Sequence, residues 1–177
     1  RNPSPDMPDM QAAPSSRSNG SSGATPPGGY SDDDLKKIDR QWQKLRNSLL
    51  AVNPSIDLRG IKSAYLYARS AHAGQKRESG EWYIFHPLRV AYKHVKYLRL
   101  TDENTIIAAI LHDVIEDTKA SEAQMLLLFG QEVFDLIDGV TKFEKTTFKT
   151  SVMRREKSLE KLFTHLVADE RIAFIKL

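Results

Sequence analysis

The stretch Ile110-Leu111-His112-Asp113-Val114-Ile115-Glu116-Asp117 sets one imidazole and three carboxylates directly behind a run of apolar residues. His112 and Glu116 stand four apart, as do Asp113 and Asp117, so on a helix each pair shares a face. The adjacent His112 and Asp113 point about 100° apart on such a helix and can still flank one wall of a pocket. Burying so many ionisable groups is costly unless a metal or a strong partner neutralises them. Acids near a helix C-terminus also oppose the helix dipole. Two readings fit the octapeptide: a metal and acid–base site, or a helix end emerging into solvent with Glu116 and Asp117 on the surface.

His86 is the second candidate ligand. It precedes Pro87 and follows the aromatic stretch Trp82-Tyr83-Ile84-Phe85. Alone it reads as a capping or half-buried histidine. It gains meaning if the helix it opens and the helix carrying His112 are antiparallel neighbours, joined by the short turn Arg99 to Thr101. Two imidazoles and Asp113 then make a mixed nitrogen–oxygen site for a divalent transition metal, which needs at least one more ligand. Just upstream, the loop Gln75 to Gly80 carries Arg77, whose planar guanidinium can bind phosphate or stack on a base. An exposed charged loop explains it more simply. His72, His94 and His165 have no acidic or histidine partner at a useful spacing and read as structural or surface residues.

The elements that must position these groups read as helices throughout. Ser31 followed by Asp32-Asp33-Asp34 is a helix start with a carboxylate three residues beyond its cap. Leu35, Ile38, Trp42, Leu45 and Leu49 then form one apolar stripe, ended at Asn53-Pro54-Ser55. A second helix is expected from about Asp57 to His72, with Ile61, Ala64, Tyr65, Ala68 and Ala71 on one side. His86-Pro87 opens a third, whose core face is Val90, Ala91, Val95 and Leu98. Thr101 is expected to cap a fourth, from Asp102 to about Glu116; it is apolar nearly all round and therefore central. Ser121 caps a fifth, stopped by Gly130, and Val133 to Val140 form a sixth. A seventh is expected over Ser151 to Ala168 and an eighth from Glu170. There is no period-2 run and no βαβ alternation, so the expected class is all-α.

Composition bounds the rest. The chain has 177 residues, no cysteine and 40% hydrophobic residues. Without cysteine there is no disulfide framework, no thiolate zinc site and no thiol nucleophile, so any metal must rest on His, Asp or Glu. The first 34 residues hold six of the eight prolines, four of the nine glycines and seven serines. Such a segment buries too little apolar surface to offset its ordering entropy, and residues 1–31 are expected to be a disordered leader before a domain over 32–177. Behind the first 34 residues the balance is 24 basic against 18 acidic residues, mild enough to suit an anionic ligand without calling for nucleic acid. The cations are neither gathered in one run nor interleaved with exposed aromatics. No apolar run reaches membrane-spanning length and the start has no signal-peptide core, so a cytoplasmic, membrane-free protein is expected.

Taken together these residues resemble the hydrolase domain of the RelA/SpoT-type alarmone enzymes, a branch of the HD-domain metal phosphohydrolases. The matching stretches are Ala71 to Glu81 (AHAGQKRESGE), Tyr83-Ile84-Phe85-His86-Pro87, Ala108 to Thr118 (AAILHDVIEDT), Phe129-Gly130 and Asp138-Gly139-Val140-Thr141-Lys142. They keep the family's order and spacing from about Ile61 to Leu177. The resemblance implies an all-α HD-domain helical bundle that hydrolyses the 3′-pyrophosphate of (p)ppGpp, giving GDP or GTP and pyrophosphate in the stringent response. It implies a divalent metal, usually Mn²⁺, with His86, His112 and Asp113 as ligands. Glu116 and Asp117 become the acidic pair that positions or activates the attacking water. Arg77 and Ser79 belong to the loop that holds the guanine end, with Tyr83 nearby.

Two departures from the family pattern stand in the loop: Trp82 where Pro is common, and Glu78 where a basic residue is frequent. A third concerns the end of the chain. After a stretch like Ile172 to Leu177 the family continues Ala-Asp-Arg-Leu-His-Asn, whose Asp is the fourth protein ligand and whose Asn contacts nucleotide. The start at Arg1 and the apolar end at Leu177 lead us to expect a fragment of a longer enzyme, C-terminally incomplete, with weak metal retention by itself. Two alternatives remain: an HD phosphohydrolase acting on another nucleotide, and an inert regulatory module.

Overall fold

Ser31 begins the first helix by a reciprocal cap: its hydroxyl accepts from the Asp34 N–H at 3.2 Å, and the Asp34 carboxylate accepts from the Ser31 N–H at 3.2 Å. Helix α1 (Asp32–Val52) buries Ile38, Trp42, Leu45 and Leu49, the stripe expected from its spacing. The computed structural model describes residues 29–148, with 142–148 by backbone alone, together with Arg171 and Ile175. The leader up to residue 28, the helix expected over Ser151 to Ala168, and His165 lie outside the described residues.

Among the described residues five further helices are delimited: α2 (Leu58–Ala71), α3 (Phe85–Leu98), α4 (Glu103–Leu111), the single turn α5 (Val114–Asp117) and α6 (Glu122–Phe148). The class is all-α. Among the described residues the only β-type pairing is one isolated bridge between Lys76 and Trp82. No helix there is long and apolar enough to cross a membrane. Helix α6 is capped by Ser121 and breaks at Gly130, whose φ of 83° no ordinary side chain tolerates well. That is the stop expected there, but the helix resumes and runs well beyond Val140.

Helix α4 is the axis of the bundle. Thr105 and the six residues Ile106 to Leu111 are all buried, and α2, α3 and α6 pack around it. Gly60 leaves room for α4: a Cβ there would stand 3.1 Å from Ile107 Cδ1, close enough to make that side chain give way. Arg99 ends α3 in the left-handed region (φ 58°), which reverses the chain quickly enough for α3 and α4 to lie side by side.

The structure corrects the sequence reading at four places. Asp102 rather than Thr101 caps α4, its carboxylate accepting from the Thr105 N–H at 2.9 Å. The helix expected to run on to Glu116 stops at Leu111. The cause is local: His112 Nδ1 donates to the Ala109 carbonyl at 2.9 Å, the acceptor that a continuing helix offers to the N–H of Asp113. Leu98 is 41% exposed rather than in the core, because the chain is already leaving the bundle there, and His94 is buried on that helix instead. Finally, cations and exposed aromatics do alternate on the α1–α3 surface, where Lys44 and Lys96 lie over Tyr92 and Tyr97 is 67% exposed.

Candidate metal centre

The antiparallel pair α3–α4 brings the first residues of one helix beside the last residues of the other. His86 is the second residue of α3 and His112 follows the last residue of α4, and their ring centroids are 5.3 Å apart. Asp113 joins them, so that one ligand atom from each of the three lies within 4.8 Å of the others. His112 and Asp113 are buried and His86 is partly so.

The protonation pattern follows from the hydrogen bonds. The Ala109 carbonyl only accepts, so His112 carries a proton on Nδ1, and in the neutral ring the lone pair lies on Nε2. That nitrogen faces Asp113 Oδ1 at 3.1 Å. Two acceptors opposed at this distance repel unless positive charge, a proton or a metal ion, lies between them. Holding a histidine's second nitrogen on a backbone carbonyl is also the usual way to fix a metal ligand's tautomer. The residues therefore fit a divalent ion on His86, His112 and Asp113. On the other side of the cluster His86 Nε2 lies 3.5 Å from Asp113 Oδ2, and its Nδ1 lies 3.3 Å from Arg77 Nη1. A guanidinium only donates, so with Arg77 at Nδ1 the neutral ring carries its proton on Nε2, and His86 ligates an ion only when the Arg77 contact opens.

Tyr83 ties the acidic residues together. Its hydroxyl lies 2.8 Å from Asp113 Oδ2 and 2.5 Å from Asp117 Oδ2, one proton serving two carboxylates. Burial, then the bonds to Asp117 and Asp113, push the phenol well above its ordinary range, so it stays protonated and donates. The expected Asp113–Asp117 pair thus does meet on one face, within the turn α5. Of the expected His112–Glu116 pair, His112 is buried and Glu116 is exposed.

Arg77 and Ser79 sit in a small hairpin turn. The Arg77 N–H donates to the Glu81 carbonyl at 2.9 Å and the Gly80 N–H to the Arg77 carbonyl at 2.8 Å, with Gly80 at φ 79° closing the turn. Lys76, Arg77, Glu78, Ser79 and Tyr83 line an open cleft of about 650 Å³. Beyond Asp117 a second cleft of about 740 Å³ is lined by Tyr67, Gly74, Gln75, Thr118, Lys119 and Gln124. Trp82, the departure from the family pattern, braces the loop: it meets Tyr30 edge-to-face at 5.1 Å while Lys76 lies over its ring at 4.4 Å. Glu81 pairs with Arg89 and fastens the loop to α3.

One residue of this neighbourhood escaped sequence reasoning. His72 is fully buried and stacks on the Tyr83 ring at 4.6 Å. No spacing pointed to it, because the contact crosses a loop of ten residues; only its place in Ala71-His72-Ala73-Gly74-Gln75 hinted at a role.

The HD-domain family profile matches residues 64–177. The chain belongs to the HD-domain family. Its HD region resembles that of a GTP pyrophosphokinase from Myxococcus xanthus, 44% identical over 147 residues, which cover 81% of this chain and 19% of that protein. It is 39% identical over 136 residues to the bifunctional (p)ppGpp synthase/hydrolase SpoT of Escherichia coli (strain K12), covering 77% of this chain and 19% of the relative. To the guanosine-3′,5′-bis(diphosphate) 3′-pyrophosphohydrolase of Vibrio cholerae it is 36% identical over 148 residues, covering 84% and 19%. The chain thus spans about a fifth of the length of the curated relatives it matches. The resemblance to RelA/SpoT-type hydrolase domains is borne out.

Proposed function

We propose that this HD domain hydrolyses the 3′-pyrophosphate of (p)ppGpp to GDP or GTP and pyrophosphate, acting in the cytoplasm as part of the stringent response. The observation that carries the reading is the cluster of His86, His112 and Asp113, with His112 Nε2 at 3.1 Å from Asp113 Oδ1. The names of the relatives supply the substrate class. We take the catalytic unit to begin at about residue 32.

His86, His112 and Asp113 would hold a divalent ion, a mixed nitrogen–oxygen set; Mn²⁺ is the ion the family resemblance implies. Such an ion supplies Lewis acidity toward a phosphoryl oxygen and a water acidic enough to attack near neutral pH. The protein's own groups do the rest. Asp117, held by Tyr83, orients the attacking water and takes its proton, with Glu116 on the same turn as the second acid. Attack at phosphorus breaks the bond to the ribose 3′ oxygen, which recovers a proton as pyrophosphate leaves. Arg77 and Ser79 present a cation and a hydroxyl in the cleft beside Tyr83, where a guanine base and a phosphate can be held.

Incubation with Mn²⁺ and ppGpp, with pyrophosphate release as readout, tests this reading. The chain ending at Leu177 should be compared with one extended beyond it by the family's Ala-Asp-Arg-Leu-His-Asn segment. Release from ppGpp in the extended form supports the proposal. Hydrolysis of other nucleotides but not ppGpp would move it to another HD phosphohydrolase, and a folded, inert protein in both forms would make it a regulatory module.

A further inference from the structure

His72 closes α2 as its C-terminal cap, with its ring fully buried. Its Nδ1 lies 2.7 Å from Gln75 Oε1, which only accepts, so that nitrogen carries the ring proton. Nε2 is buried without a hydrogen-bond partner among the described residues. A site that needed only volume would be filled as well by a phenyl ring, which leaves no nitrogen unsatisfied. What the imidazole has is a fixed plane. The bond to Gln75 sets that plane, and the Tyr83 ring lies against it at 16°. Gln75 also accepts the Tyr83 N–H on its backbone carbonyl at 3.0 Å, so one residue holds both rings in register. At the far end of the phenol the hydroxyl reaches Asp113 and Asp117.

We propose that His72 is a positioning residue of the metal centre, acting through Tyr83: its imidazole fixes the phenol so that one hydroxyl holds Asp113 and Asp117 in place. The inference rests on the reading of His86, His112 and Asp113 as metal ligands. It makes the segment from His72 to Tyr83 a support for the site as well as a wall of the cleft. Outer partners that orient a ligand commonly matter almost as much as the ligand itself.

A double-variant cycle on Mn²⁺ affinity, measured by electron paramagnetic resonance of the free ion, tests it. Tyr83→Phe keeps the stack and removes the hydroxyl, and should weaken Mn²⁺ binding about 10–100-fold. His72→Phe keeps a ring in the pocket but loses the bond to Gln75 that sets its plane; it should weaken binding about threefold, less than loss of the hydroxyl itself, with the helical circular dichroism retained. In the Tyr83→Phe background the same change should cost less than about twofold, because the effect passes through the hydroxyl. Undiminished loss in that background, or wild-type affinity in His72→Phe, would overturn the proposal. A metal-free readout keeps it separate from the ligand assignment: the Tyr83 hydroxyl proton should be visible by NMR in the wild type and lost in His72→Phe. If the wild type bound no Mn²⁺, the metal reading would fall, and an unchanged hydroxyl line would sink the His72 link as well.

Discussion

Asp57, Asp102 and Asp113 each stand immediately before a helical stretch, yet they do different things. The Asp57 carboxylate accepts from the Arg59 N–H and that of Asp102 from the Thr105 N–H, which is what aspartate at a helix start is favoured for. Asp113 makes no such bond. Its carboxylate turns instead toward His86, His112 and Tyr83, in surroundings that leave it only 8% exposed. The fold forgoes a cap and buries this carboxylate beside His112 Nε2, which in the Nδ1–H tautomer only accepts. The Tyr83 hydroxyl offsets part of that cost, and a bound cation would offset the rest. The difference shows how a structural aspartate and a functional one can be told apart when residue type and position are the same.

Substitutions can break this contrast. Asp113→Asn should have the largest effect: turnover falls to background and Mn²⁺ affinity drops by more than the roughly 10–100-fold that losing an outer partner costs. In EDTA its melting temperature should hold or rise, measured by circular dichroism; a clear fall would make Asp113 a structural residue like the other two. Asp117→Asn should lower kcat by about 10²–10⁴-fold, the usual worth of a positioned acid or base, while Mn²⁺ affinity stays within a few-fold. Loss of the metal along with the rate would show that Asp117 is a ligand instead. Glu116→Gln, at an exposed position, should cost less.

Asp102→Ala should do the converse. It should cost about 1 kcal/mol in denaturant unfolding, as loss of a cap commonly does, and leave Mn²⁺ affinity untouched. Its effect should depend on pH. Burial alone would raise Asp102, but the Thr105 hydroxyl and N–H and the Arg171 guanidinium outweigh it and hold the carboxyl below its ordinary value. A lowered value means the stabilisation is fully present above the ordinary carboxylate range and is lost as pH falls through and below it. The gap in stability between wild type and Asp102→Ala should therefore close in acid. Asp57→Ala, at an exposed cap, should show the smallest shift of all.

Much of the fold and part of the site were legible in the sequence. The stripe of Ile38, Trp42, Leu45 and Leu49 follows from helical period, and Ser31 announced its helix through a carboxylate three residues on. The approach of His86 to His112 followed from a short turn between two antiparallel helices. What stayed hidden depended on side chains meeting across the fold. The break after Leu111 arises because an imidazole competes for a backbone carbonyl, and no propensity in an apolar helix foretells it. His72 was hidden because stacking on Tyr83 leaves no periodic trace. The leftover cost of burying Asp113 was readable only in outline, as too many acids at one end of a helix.

The central claim is that His86, His112 and Asp113 jointly hold the ion. Pulsed electron paramagnetic resonance of Mn²⁺ on this chain addresses it directly, because nitrogen couplings count the bound imidazoles. The account predicts two imidazole nitrogens in the wild type and one in either His86→Ala or His112→Ala. Mn²⁺ bound with no imidazole coupling, or with both couplings retained in either variant, would contradict it.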